Sequence, residues 1–251
     1  MGIKIILSDL KGMASHPNIQ IYDNVLTQKE LDYIYSACFQ APYEIGWGDT
    51  VSHRESFFHS TIDIKVWDRV RNGSWTQSSI QHRAKLNQTP YNIVNILSKT
   101  EPCKKLKNNR LSRGSIINLD TIADTHAAHD HKDEIVVLLY VNPFWEPSWG
   151  GETMFHDSVT NELIHVLPYT PNRMVVFDGN IMHSFNGPNI ESLLKNRFSI
   201  STFFFNEEQT KIHKRCENKP ESEEAFHVEM ENNYNTELMG FNQRIANDID
   251  R

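Results

Sequence analysis

The apolar residues of this chain follow two rhythms, and the change falls near Ser115. Upstream, residues 18–26 (NIQIYDNVL) read as a short strand. Thr27-Gln28-Lys29-Glu30 then has the order of a capping box, and Leu31, Ile34 and Cys38 form one buried stripe of a helix that Ala41-Pro42 ends. One further strand is expected around Phe57–Trp67. A second helix is expected from Thr89 as cap and Pro90 at its first position, with Ile93, Ile96 and Leu97 at helical spacing.

Downstream, apolar blocks alternate with turn residues. Strands are expected at 114–119, 135–141, 152–156, 162–167, 173–178, 181–185 and 197–205. Many short strands punctuated by Gly-Gly, Asn-Pro and Pro-Asn argue for a sandwich or jelly-roll barrel. The fold class is therefore mainly β (α+β), with flanking N-terminal helices. Residues 206–251 are polar and acidic, with helical periodicity in the last twenty. A chain of 251 residues fits one domain of this kind. Its core spans about 114–205, between N-terminal support (1–113) and a C-terminal extension (206–251).

Composition narrows the function classes. A formal net charge of −7 disfavours a surface built to grip large nucleic acid. Cys38, Cys103 and Cys216 are sparse, odd in number and without a C-x-x-C pair, which reads as free thiols in a reducing compartment. The start lacks a signal-peptide pattern, and no run approaches the ~18 apolar residues of a membrane span. A soluble, cytoplasmic protein without membrane association is the expectation, and the sequence sets no oligomeric state.

The densest candidate chemistry lies at 125–134 (THAAHDHKDE), just before the most apolar strand. A histidine and a nearby carboxylate, with a second histidine from a distant strand, make the facial triad suited to non-heme Fe(II). His126 and His183 stand 57 residues apart, each at the edge of an expected strand, where a barrel can bring them together. Fourteen residues past His183, Arg197 shares a strand face with Ser199 and Ser201. A guanidinium fork beside a hydroxyl suits the far carboxylate of a small dicarboxylic acid.

These features resemble the Fe(II)/2-oxoglutarate oxygenases, specifically the prolyl-4-hydroxylase-like branch. The resemblance rests on Leu139-Tyr140-Val141-Asn142, Trp149-Gly150-Gly151-Glu152-Thr153-x-Phe155, Phe177-x-Gly179 before His183, and Arg197-x-Ser199. It implies a double-stranded β-helix (cupin-like) core, with Fe(II) on His126 and His183 and with 2-oxoglutarate and O2 as cosubstrates. It also implies that Arg197 and Ser199 hold the far carboxylate of 2-oxoglutarate, with Tyr140 nearby and Asn118 contributing from the preceding strand.

One position departs from the family pattern. Close relatives carry H-x-D and about six loop residues before the strand ending in Y-x-N, which puts the histidine on His126 and the aspartate on Ala128. His131-Lys132-Asp133 spells H-x-D as well, but leaves little room to turn before the strand. The H-x-A reading resembles the radical halogenases, in which chloride fills the position freed by the missing carboxylate. It implies a ferryl-dependent chlorination of an unactivated C–H bond, with Ala128 as the halide position. The alternatives are a hydroxylase with Asp130 or Asp133 as the iron carboxylate, and an inactive protein. Lys104, Lys105, Lys107, Arg110 and Arg113 are either a solvated face or a site for a small anionic substrate such as a nucleotide. The nucleic-acid demethylases of the superfamily carry a second arginine where this chain has Phe203. A small molecule or a peptidyl side chain is therefore the expected substrate.

Overall fold

The computed structural model describes residues 18–45, 58–63, 89–122, 124–132, 134–192 and 195–211. The expected C-terminal helix, Cys216 and Asp133 lie outside them, as does the side chain of His126. Among the described residues, eleven strands pair antiparallel throughout: β1 (Ile19–Asp23), β2 (Glu44–Ile45), β3 (Phe58–Asp63), β4 (Ser112–Asp120), β5 (Thr125–His129), β6 (Glu134–Tyr140), β7 (Thr153–His156), β8 (Leu163–Leu167), β9 (Arg173–Asp178), β10 (Met182–Asn186) and β11 (Arg197–Phe205). They form a seven-stranded sheet, β1-β9-β6-β11-β4-β3-β2, and a four-stranded sheet, β5-β10-β7-β8. This is the expected jelly-roll, with the N-terminal strands recruited to widen one sheet.

Strand β6 shows why the sequence there reads as an unbroken apolar run. Val137 and Leu139 pack outward with the helix residues Leu31, Ile34, Ile93 and Leu97. Val136, Leu138 and Tyr140 turn inward to meet Phe155, Val175 and Phe177. A strand covered on both faces has no position at which a polar residue could stay hydrated. Each fully buried aliphatic side chain there contributes about 1.5–3 kcal/mol.

The outward layer is held by α1 (Gln28–Gln40), α2 (Thr89–Ser98) and α3 (Glu101–Asn109). The capping box is present as expected: Thr27 Oγ1 accepts from Glu30 N–H, and the Glu30 carboxylate accepts from Thr27 N–H. Helix α3 escaped the sequence reading, because its cationic residues mask a short apolar stripe in which Pro102 and Cys103 are buried. Three of the five basic residues there have carboxylate partners. Lys105 meets Glu101, Arg110 meets Glu207, and Arg113 meets Glu134. The run is thus mainly a paired, solvated face. No described helix is long and apolar enough to cross a membrane.

Candidate metal centre and cosubstrate cradle

Where the small sheet opens, β5 lies against β10 with His129 directly opposite His183. Beyond β5 the chain reaches Glu134 in a short turn, and this turn carries His131. Ligand atoms of His129, His131 and His183 all lie within 4.8 Å of one another. The rings confirm the convergence, with centroids 4.4 Å apart for His129 and His183, 5.1 Å for His131 and His183, and 4.9 Å for His129 and His131.

Two of these imidazoles are already oriented as ligands. His183 Nδ1–H donates to the Ile181 carbonyl at 3.0 Å, and His129 Nδ1–H donates to the Ala127 carbonyl at 2.9 Å. A carbonyl only accepts, so each Nδ1 carries a proton and Nε2 is the nitrogen left for a metal, the arrangement of a metal-bound histidine. Burial, reinforced by His129, pushes the His183 pKa down to about 3, so its ring is neutral at ordinary pH. Phe177 packs edge-on against it at 4.8 Å, and Phe155 stands behind at 6.5 Å. Three imidazoles converging from a strand pair and one turn fit a first-row divalent ion such as Fe(II).

Turn geometry places the converging histidines later in the chain than a residue count back from Tyr140 does. The turn needs few residues because Gly179 clamps it: His131 N–H donates to Gly179 O at 2.7 Å, and Gly179 N–H donates to Glu134 O at 2.8 Å. A Cβ at Gly179 would stand 2.2 Å from the His131 carbonyl oxygen, so the Phe-x-Gly motif is a close-approach requirement. Strand β5 therefore runs on to His129. His126, expected as the first ligand, instead lies opposite Phe185, and a bulge separates that pair from His129–His183. Ala128, expected as the halide position, falls within the bulge. The residue two beyond the histidine facing His183 is His131. Asp130 is half-buried and its carboxylate is not among the converging atoms. His129 and His131 were visible in the sequence as an H-x-H pair, but the expectation of a carboxylate passed over them.

The second half of the site lies deeper on the inner face of β11. Arg197, Ser199 and Ser201 share this face as expected. Arg197 is 2% exposed and sits beneath the Phe185, Tyr169 and Tyr140 rings, 5.1, 5.1 and 5.6 Å from their centroids. Phe185 is two residues beyond His183 on β10, about 7 Å along a strand, so the guanidinium lies one side-chain step below the histidines. Its Nε donates to the Gly151 carbonyl at 3.0 Å, and Nη1 meets Ser199 Oγ and Nη2 meets Thr153 Oγ1, each at a marginal 3.5 Å. A Cβ on Gly151 would lie 3.2 Å from Arg197 Cδ, and its φ of +86° favours glycine, which accounts for the second residue of the Gly-Gly motif.

The remaining expected residues join this cradle. Tyr140 donates its hydroxyl to Thr153 at 2.8 Å and stacks on Tyr169, with ring centroids 4.5 Å apart. Asn118 on β4 donates to Ser201 Oγ at 3.1 Å and to Ser199 Oγ at 3.4 Å. Asp120 was not anticipated. It is wholly buried and accepts from Arg197 Nη1 at 2.5 Å, while its Oδ1 has no hydrogen-bond partner. Burial pushes the Asp120 pKa up to about 6 against the pull of Arg197.

The profile of the 2OG-Fe(II) oxygenase superfamily matches residues 118–205, the segment that carries every residue of this site. No curated protein sequence matches the chain. Among solved structures, an oxidoreductase of the 2OG-Fe(II) oxygenase family from Burkholderia pseudomallei superposes with a TM-score of 0.53 at 14% identity. That match covers 75% of this chain and 85% of the other. A Pseudomonas putida prolyl-4-hydroxylase gives 0.49 at 16% identity, covering 75% and 93%. A Trichoplax adhaerens prolyl hydroxylase, solved in complex with a hypoxia inducible factor peptide, gives 0.47 at 13%, covering 78% and 86%. The segment 118–205 is thus similar to the 2OG-Fe(II) oxygenase superfamily, and it folds as a jelly-roll whose histidines converge at one mouth.

Proposed function

We propose that this protein is an oxygenase that hydroxylates an aliphatic C–H bond of a small molecule or a peptidyl side chain, with iron held by His129, His131 and His183. The observation that carries the reading is the convergence of these three nitrogens one step above the buried Arg197. Iron, 2-oxoglutarate and O2 together would supply the oxidant, with 2-oxoglutarate leaving as succinate and CO2.

The chain's own contribution is orientation and exclusion of water. The carbonyls of Ala127 and Ile181 fix two tautomers so that both Nε2 lone pairs face inward. Phe155 and Phe177 close the back of the site. Arg197, Ser199, Thr153 and Tyr140 form a polar cradle for the far end of a 2-oxo acid. On the substrate side, His131 lies against Phe203 at 4.8 Å, and Arg113 covers Phe203 while paired with Glu134. That charge-balanced mouth favours a neutral or mixed-charge substrate over a strongly anionic one.

Hydroxylation is preferred to chlorination on donor count. Three histidines leave three positions for cosubstrate and O2, and none for halide, whereas the chloride reading needed Ala128 to stand where His131 does. The test is iron-dependent conversion of 2-oxoglutarate to succinate, with and without chloride, and mass analysis of products from candidate metabolites and peptides. Turnover lost in His183→Ala and an oxygen-bearing product support the reading. Absence of any iron-dependent turnover, or a chlorine isotope pattern in the product, overturns it.

A further inference from the structure

The superfamily reading gives Arg197 the task of neutralising the far carboxylate of the cosubstrate, yet Arg197 already has a carboxylate. Asp120 on β4 and Arg197 on β11 face each other in register, and they are 0% and 2% exposed. Their contact is a 2.5 Å charge-assisted hydrogen bond, surrounded by the rings of Tyr140, Tyr169 and Phe185. A second anion entering this space would set two negative charges against one positive charge, in surroundings too apolar to screen them.

Resting on the reading above, we infer that Asp120 sets cosubstrate specificity, and that the cradle takes a 2-oxo acid whose far end is uncharged and presents one acceptor and one donor. A carboxamide has this chemistry. Its carbonyl oxygen accepts from Arg197 and Ser199, and its N–H donates to Asp120 Oδ1, the buried oxygen that has no partner. An unsatisfied buried acceptor costs about 1–3 kcal/mol, and a donor on the ligand removes that cost. 2-Oxoglutarate itself meets the same requirement only when it enters with one proton, shared between its far carboxyl and Asp120. The other titratable groups acting on this pair are Asp124, in the turn after β4, the Tyr43 phenol ahead of β2, and the buried Tyr140 and Tyr169 phenols beside Arg197. None of them supplies a compensating positive charge.

Isothermal titration of the zinc-loaded protein tests this without turnover. The ligands are 2-oxoglutarate and the same acid with its far carboxylate replaced by a carboxamide, each in two buffers of different ionisation enthalpy. The wild type is expected to bind the amide at least as tightly as 2-oxoglutarate, and to take up about one proton with 2-oxoglutarate only. Asp120→Asn is expected to shift the ratio of dissociation constants about tenfold or more towards 2-oxoglutarate and to abolish the uptake. The wild-type ratio and proton count need no variant, so a misfolded Asp120→Asn leaves the test intact. Tenfold or greater preference for 2-oxoglutarate without proton uptake overturns the inference while leaving the oxygenase reading standing. Failure of both acids to bind, with zinc bound, overturns that reading and the inference with it.

Discussion

Asn142 ties the end of β6 to the start of β11, and replacing it should damage both stability and the cosubstrate cradle. Its Oδ1 accepts from the Phe198 N–H and from the Tyr169 hydroxyl, both at 2.8 Å, and its Nδ2 donates to the Asn196 carbonyl at 2.9 Å. The side chain is 2% exposed, so water cannot replace these partners. Asn142→Ala leaves the Phe198 N–H and the Asn196 carbonyl without it. The Tyr169 hydroxyl keeps an alternative acceptor in Phe198 O at 2.6 Å. Two stranded backbone groups at about 1–3 kcal/mol each give an expected loss of about 2–6 kcal/mol. Urea unfolding of the metal-free protein measures it, with an unchanged m-value marking a true stability change. Because Phe198 follows Arg197, 2-oxo acid binding should weaken while zinc binding persists. Asn142→Asp separates the roles of the two atoms: it keeps an acceptor for Phe198 but sets an oxygen against the Asn196 carbonyl. A stability change below about 0.5 kcal/mol in Asn142→Ala, within the scatter of neutral surface changes, would refute the assignment.

Three further outcomes are expected. His131→Ala should weaken cobalt binding at least about tenfold, whereas His131→Asp, which restores an H-x-D order, should retain it; visible absorption of the cobalt protein distinguishes the two, and equal binding by wild type and His131→Ala would remove His131 from the ligand set. Gly179→Ala drives a Cβ into two backbone carbonyls, those of His131 and Glu134, so it should lower both Tm and metal affinity, and an unchanged affinity in a folded variant would contradict the clamp. The metal-free protein should lose stability as pH falls below ~6.5, because the unfolded chain protonates at His183 while the folded site resists until about 3. The loss is about 1.4 kcal/mol per unit of pH at most, and zinc should suppress it; a flat urea midpoint between pH 7 and 5 would contradict the burial argument.

Much of the barrel was legible because its strands are either covered on both faces, as β6 is, or alternate cleanly, as β11 does. The inner face of Arg197, Ser199 and Ser201 followed from alternation alone. Helix α3 was hidden because solvation tolerates five cations in a short stretch whether or not a helix underlies them. The convergence of His129, His131 and His183 was hidden for a different reason. Spacing from Tyr140 fixes a ligand only if loop length is known, and here it depends on how closely Gly179 lets two backbones approach, which no property of the 125–134 stretch encodes. Asp120 carried no local signal, since its partner lies 77 residues away.

The bulge in β5 bears on how this strand tolerates changes in length. Three residues on β5 span the interval that two residues span on β10, between the pair His129–His183 and the pair His126–Phe185. Deleting one of Ala127 or Ala128 would leave both pairs facing each other across a regular ladder, at the expense of the local Nδ1 hydrogen bond that orients His129. Deleting a residue on the far side of His129 would instead shorten the clamped turn that carries His131. The alanine pair is thus the place where this strand can lose a residue without altering the spacing of His129, His131 and His183, so a change of length there is absorbed between Asp120 and His129 and leaves the three converging rings in register.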